Sequence, residues 1–77
     1  MALPEKLMKA NARERAEDFD GECTWALRNN MNDLIALFEM AKKDMNQDEL
    51  KSDEKEKLNK DMMVWKPYYD YVIPLRK

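Results

Sequence analysis

The fold depends first on the stretch "MNDLIALFEMAKKDM", residues 31–45, which forms the hydrophobic centre of the chain. Its apolar residues recur at spacings of three and four, and that spacing places side chains on one face of an α-helix. The apolar arc is wider than a single neighbouring helix would cover. The stretch is therefore predicted to be the central helix of a small all-α protein.

The sequence on either side of this stretch sets the predicted boundaries of two helices. Residues 22–66 contain neither glycine nor proline, but the heptad pattern of the central stretch fails after Met45. Asn46 and Ser52 each begin a sequence that is typical of a helix N-terminus, so a break is expected between them. A second helix is accordingly predicted over residues 24–45 and a third over residues 52–65.

The single glycine and the prolines determine the structure predicted for the N-terminal and C-terminal parts of the chain. Pro4 suits the first turn of a helix and Gly21 suits a helix C-cap, so a first helix is predicted over residues 4–19. The apolar face of that helix is thin. Because Pro67 disfavours helical geometry at the residue before it, residues 66–77 are predicted to form an extended aromatic strap.

These elements predict one all-α domain over residues 1–77. Its architecture is either a small three-helix bundle or a helical hairpin with an extra N-terminal helix, completed by the extended aromatic C-terminal strap. A chain of this length buries only about 60% of the surface that its unfolded form exposes. With Cys23 as the only cysteine, no intrachain disulfide can form, so we expect oligomerisation or partner binding to add stability.

Catalytic and metal chemistry find little support in the residue types. The chain has no histidine, which removes the commonest general base and metal ligand, and one glycine cannot build a phosphate-binding loop. Asp20 and Glu22 oppose thiolate formation at Cys23. The sequence "DFDG" resembles the middle of a calcium-binding loop, but Ala16 and Leu27 would fall at its first and last ligand positions. We expect no enzyme activity, no cofactor and no metal.

Charge and hydropathy narrow the classes of partner. The chain has 14 Lys and Arg against 16 Asp and Glu, a net charge of −2, which argues against a dedicated nucleic-acid binder. The longest apolar run is the five residues 34–38, too short for a signal peptide or a membrane span. The unpaired cysteine favours a reducing cytoplasm.

Aromatic residues concentrate near the C-terminus, where residues 65–71 hold one of the two tryptophans and all three tyrosines. Four interpretations remain open for this segment: a strap that completes the core, a surface for a protein partner, a stacking platform for single-stranded nucleic acid, and a membrane-surface anchor. Core completion and protein binding are the two that the composition favours.

We expect a small non-enzymatic interaction module that binds and modulates a larger protein, as small phage-encoded inhibitors and host regulators do. One alternative is a homo-oligomeric structural or assembly protein whose second helix pairs with its own copy, which gives a homodimer. Another is a protein that binds single-stranded nucleic acid. The predicted partner-binding residues are Leu37, Met40, Trp65, Tyr68, Tyr69 and Tyr71.

Overall fold

Three helices lie in the part of the chain that the computed structural model describes, residues 9–75. They are α1, Ala12–Asn29; α2, Asp33–Met45; and α3, Ser52–Leu75. No strand occurs within these residues. The predicted all-α class is therefore confirmed, but several of the predicted boundaries are wrong.

The start of α1 is fixed by a capping box. The backbone N–H of Glu14 donates to the side chain of Asn11 at 2.9 Å, and the Asn11 N–H donates back to the Glu14 carboxylate at 3.3 Å. These two bonds satisfy backbone donors that the first turn of a helix leaves free. The predicted continuous helix over residues 4–19 is therefore wrong at residues 10 and 11, which are not helical. Its predicted start at Pro4, with residues 4–8, lies outside the described residues.

Gly21 does not end the first helix, which contradicts the prediction. It lies inside α1 with a negative φ, and the buried face of the helix continues across it from Phe19 to Cys23 and Ala26. A glycine inside a helix costs about 1 kcal/mol relative to alanine. Burial of the apolar face on both sides of Gly21 offsets that cost, so the helix continues to Asn29.

The predicted helix over residues 24–45 is two helices, separated at residues 30–32. Asn30 has extended backbone at φ −161° and ψ 95°, and its side chain accepts a bond from the Asn32 N–H at 3.1 Å. Asparagine side chains compete for backbone groups in this way and so interrupt helices. After the break, α2 ends at Met45 and α3 begins at Ser52, the two positions that the sequence indicates.

The predicted extended strap over residues 66–77 is wrong for the residues described, because α3 continues as a helix to Leu75; residues 76 and 77 lie outside them. Pro67 has no N–H to donate to the preceding turn. Its side chain is exposed, while Trp65 and Val72 on the other face of α3 are buried. Burial of this face compensates for the lost hydrogen bond.

The three helices form an up-down-up bundle in which each helix packs on the other two. Arg15 near the start of α1 meets Asp44 near the end of α2, so these helices are antiparallel. Trp65 donates a hydrogen bond to Asp20, which places the middle of α3 beside the middle of α1. The apolar core comprises Ala12, Ala16, Phe19, Cys23, Ala26, Leu34, Ile35, Leu37, Phe38, Ala41, Leu50, Leu58, Trp65 and Val72.

Two carboxylates are buried beside this core. Asp44 accepts two hydrogen bonds from the Arg15 guanidinium, at 2.9 Å from Nε and 2.8 Å from Nη2. This hydrogen bonding raises the pKa of Arg15 above its usual value. Asp33, the first residue of α2, has one oxygen without a hydrogen-bond partner among the described residues.

Candidate functional site

The predicted partner-binding residues fall into buried and exposed groups. Leu37 and Trp65 are core residues, with 6% and 8% of their surface exposed. They therefore offer almost no surface to a partner in this structure. Tyr68 and Tyr71 are 44% and 64% exposed.

Leu37 and Met40 line a cleft of about 10 Å³, together with Arg15 and Phe19. A space of that size holds at most one water molecule. Met40 is half-buried and Leu37 is buried. The structure thus assigns this part of α2 to packing, and does not join it to the exposed tyrosines of α3 in one surface.

Trp65 anchors α3 to α1. Its indole Nε1–H donates to the Asp20 carboxylate at 2.7 Å, and its ring lies 5.0 Å from the ring of Tyr68, centroid to centroid. The buried indole thus has its polar group satisfied, as buried tryptophans generally require. Trp65 also packs against the exposed Tyr68, so it contributes to the exposed surface of α3 only by supporting that side chain.

Tyr69 completes a line of aromatic rings through the core. Its ring stacks on Phe38 with centroids 4.3 Å apart and 15° between the planes, and Phe38 meets Phe19 edge to face at 5.4 Å. Such pairs contribute about 0.5–1.5 kcal/mol each beyond the area they bury. Tyr69 is therefore a packing residue, although part of it remains accessible beside Lys42.

A row of exposed apolar residues runs along α3. We call it the α3 row; it comprises Val64, Tyr68, Tyr71 and Leu75, which are all exposed. The successive spacings of four, three and four place these side chains on one face of a helix. Seven large apolar side chains are exposed within residues 9–75, and six of them lie between Met63 and Leu75. The surface apolar character of the described chain is thus concentrated on half of one helix.

Charged residues precede the α3 row, and buried residues support it. Asp61 and Lys57 lie one and two turns before Val64 and continue the spacing of the row. They form an ion pair with 2.9 Å between Nζ and Oδ2. Beneath the row, Trp65 and Val72 are fixed in the core. The exposed side chains therefore project from a backbone that is already ordered.

The sequence interpretation missed Val64 and Leu75, because it ended the helix at Trp65. A helical period continued through Pro67 would have aligned both residues with Tyr68 and Tyr71. The exposed positions of the segment are therefore set by the helix and not by its aromatic content. The candidate site therefore comprises Tyr68 and Tyr71, which the sequence predicted, together with Val64 and Leu75, which it did not.

Cys23 is the one free thiol of the described residues, and it is fully buried. Burial, reinforced by the charges of Asp20, Asp61 and Glu22, raises the pKa of Cys23 to about 12. The thiol is consequently protonated at neutral pH and is a poor nucleophile. Among residues 9–75, no three or more metal-ligating side chains are grouped so that they could hold a metal ion.

Comparison with protein families, with characterised proteins and with solved structures finds no match to this chain. Over residues 9–75, no helix combines the length and the apolar character needed to cross a bilayer. Function is therefore inferred from the surface of the bundle itself.

Proposed function

We propose that this chain is a small non-enzymatic interaction module that binds a larger protein through the α3 row and thereby modulates it. The observation that supports the proposal is the concentration of exposed apolar side chains on α3, where six of the seven large ones in residues 9–75 are found. Scattered single apolar residues are ordinary on a protein surface, whereas a continuous group is typical of an interaction site.

The spacing of the α3 row suits a partner that presents a groove. Amphipathic helices bind apolar grooves through side chains at spacings of three and four, and tyrosine is among the residues that contribute most to such interfaces. Because the core fixes α3 from below, little backbone order would have to be gained on binding. That preorganisation favours affinity, since it lowers the entropic cost of association.

A homodimer through the same row is the second candidate, since four-three-four spacing also describes the seam of a coiled coil. In a parallel pair, Lys57 would face Lys57 of the other copy and Asp61 would face Asp61, so like charges would oppose association. An antiparallel pair avoids those contacts, but its apolar seam spans only residues 64–75. Four residues per helix fall short of the three to four heptads that a stable coiled coil usually needs.

Site-specific photocrosslinking tests the proposal. A photoreactive phenylalanine analogue at Tyr71 should crosslink one defined larger protein in cells that express the chain. The same analogue at Glu56, an exposed position of α3 outside the row, is the matched control and should not. Leu75→Glu should remove the crosslink from position 71 while the circular dichroism spectrum stays helical.

Two results would contradict the proposal. Equal crosslinking from positions 71 and 56 would show that the row is not a specific surface. Crosslinking only to a second copy of the chain, with a dimer mass by light scattering at micromolar concentration, would favour the homodimer. Deletion of residues 66–77 is not a suitable test, because it also removes Tyr69 and Val72 from the core.

A further inference from the structure

A second concave feature lies between α2 and α3, lined by residues that are not part of the α3 row. It is a half-open cavity of about 190 Å³. Phe38, Met62 and Tyr69 form its inner wall, where Phe38 is buried and the other two are partly buried. An apolar cavity of about 150 Å³ is known to hold one benzene molecule. This cavity therefore has room for one ring-sized apolar group.

The mouth of the cavity is cationic. Lys42 from α2 and Lys66 from α3 both line it and are exposed. The Lys42 ammonium lies 5.1 Å from the centroid of the Tyr69 ring and 3.5 Å from its hydroxyl, which positions it above the inner wall. Asn59 adds an amide group to the lining. Positive charge from two helices thus surrounds an apolar interior.

Lys66 already has an acidic neighbour, since its Nζ lies 3.0 and 3.2 Å from the two oxygens of Asp70. Both side chains of this pair are more than half exposed, so the pair contributes little and can rearrange at small cost. Two lysines and one aspartate leave a net charge of +1 at the mouth. One added carboxylate would neutralise it.

We propose that the cavity binds a small aromatic carboxylate, with its ring against Phe38, Met62 and Tyr69 and its carboxylate between Lys42 and Lys66. Ring and inner wall match in size and polarity, and the carboxylate neutralises the net positive charge at the mouth. The cavity has room for the ring of such a molecule and the mouth has room for its carboxylate, whereas only one side chain of a protein partner would enter. The site is independent of the α3 row and of any protein that binds there.

Titration of the full chain by ¹H–¹⁵N NMR tests this site with three probes. 3-Phenylpropionate carries the ring and the charge, 3-phenylpropan-1-ol carries the ring alone, and propionate carries the charge alone. We expect saturable shifts for 3-phenylpropionate at residues 38, 42, 62, 66 and 69, with an affinity several-fold above that of either other probe. Equal affinity for the alcohol, or no saturation up to the solubility limit, would overturn the proposal.

Lysine variants check that the charge acts at the mouth. Lys42→Gln and Lys66→Gln should each weaken 3-phenylpropionate binding by about two- to fivefold, the size expected of an exposed charge pair. Lys43→Gln, an exposed neighbour on α2 outside the cavity lining, should leave it unchanged. Equal losses in all three variants would indicate nonspecific attraction and contradict the site.

Two further measurements separate this site from its alternatives. Leu75→Glu should not alter 3-phenylpropionate binding, so failure of the α3 row as a protein-binding surface would leave this result intact. A blocked Asp-Phe dipeptide supplies the same ring and carboxylate within a peptide. If the dipeptide binds and the free acid does not, the cavity is a peptide site and the small-molecule assignment is wrong.

Discussion

Replacement of Gly21 by alanine should stabilise the protein. The sign of the effect distinguishes a helix that continues through Gly21 from a helix that ends there in a C-cap. In the structure Gly21 is an exposed residue inside α1, with a negative φ. A methyl group added there would meet nothing within 4 Å beyond its own helical turn. The full difference in helix propensity, about 0.8–1.0 kcal/mol, should therefore appear in the free energy of unfolding.

The assay is urea unfolding followed by circular dichroism at 222 nm, with thermal unfolding as a second readout. In a domain of this size each kcal/mol corresponds to about 4–8 °C in melting temperature. Gly21→Asn is the matched control. Asparagine should give a smaller gain than alanine within a helix, but it is the better tolerated of the two at a left-handed C-cap.

A loss of stability in Gly21→Ala, with Gly21→Asn close to the original protein, would refute the continuous helix. That result would restore a C-cap at Gly21, as the sequence alone suggested. A change in the slope of the urea transition would instead show that the substitution alters the unfolded ensemble.

Three further perturbations test the remaining features of the bundle. Pro67→Ala should raise the free energy of unfolding by about 1–2 kcal/mol, because an exposed position inside α3 regains a hydrogen bond; an extended strap would predict no gain. Asp44→Ala should lower the free energy of unfolding, measured in urea, by about 3 kcal/mol, because Arg15 loses its partner in a buried pair. The cost is limited because Arg15 retains some access to water. The pKa of the Cys23 thiol is about 12 in the folded chain and near 9.0 in the unfolded chain. The thiol should therefore resist a thiol reagent at pH 8 until the protein is denatured. Between those two pH values only the unfolded thiol ionises, so the free energy of unfolding should fall from about pH 9 toward pH 12, by at most about 1.4 kcal/mol per pH unit. The fall should be less steep in Cys23→Ala.

Local sequence signals predicted the helical class and the break between α2 and α3, since a failing heptad and two N-cap signals agree there. The same signals failed at Gly21 and Pro67. Both residues disfavour a helix locally, and both are exposed in the structure, so the cost of keeping them is limited to the backbone. The apolar period continues past each of them into the core, and that tertiary contribution cannot be read from a glycine or a proline alone.

The break at residues 30–32 was missed for the opposite reason, since no glycine or proline marks it. The Asn30 side chain provides the interruption by accepting a hydrogen bond from the Asn32 N–H, which is a weaker local signal. In the candidate site, composition alone identified the aromatic segment. Only the helical path of α3 could separate Trp65 and Tyr69, which pack in the core, from Tyr68 and Tyr71, which do not.

α3 has a core face and a separate exposed row, and two tyrosines of the same helix test this division directly. The measurement is the difference in the free energy of unfolding between Tyr69→Ala and Tyr71→Ala. Tyr69 stacks on Phe38 and packs against the core, so its loss should cost about 2–4 kcal/mol. Tyr71 is 64% exposed, and its loss should cost less than about 0.5 kcal/mol. Equal costs for the two variants, or a greater cost at Tyr71, would contradict the division of α3 on which the proposed function depends.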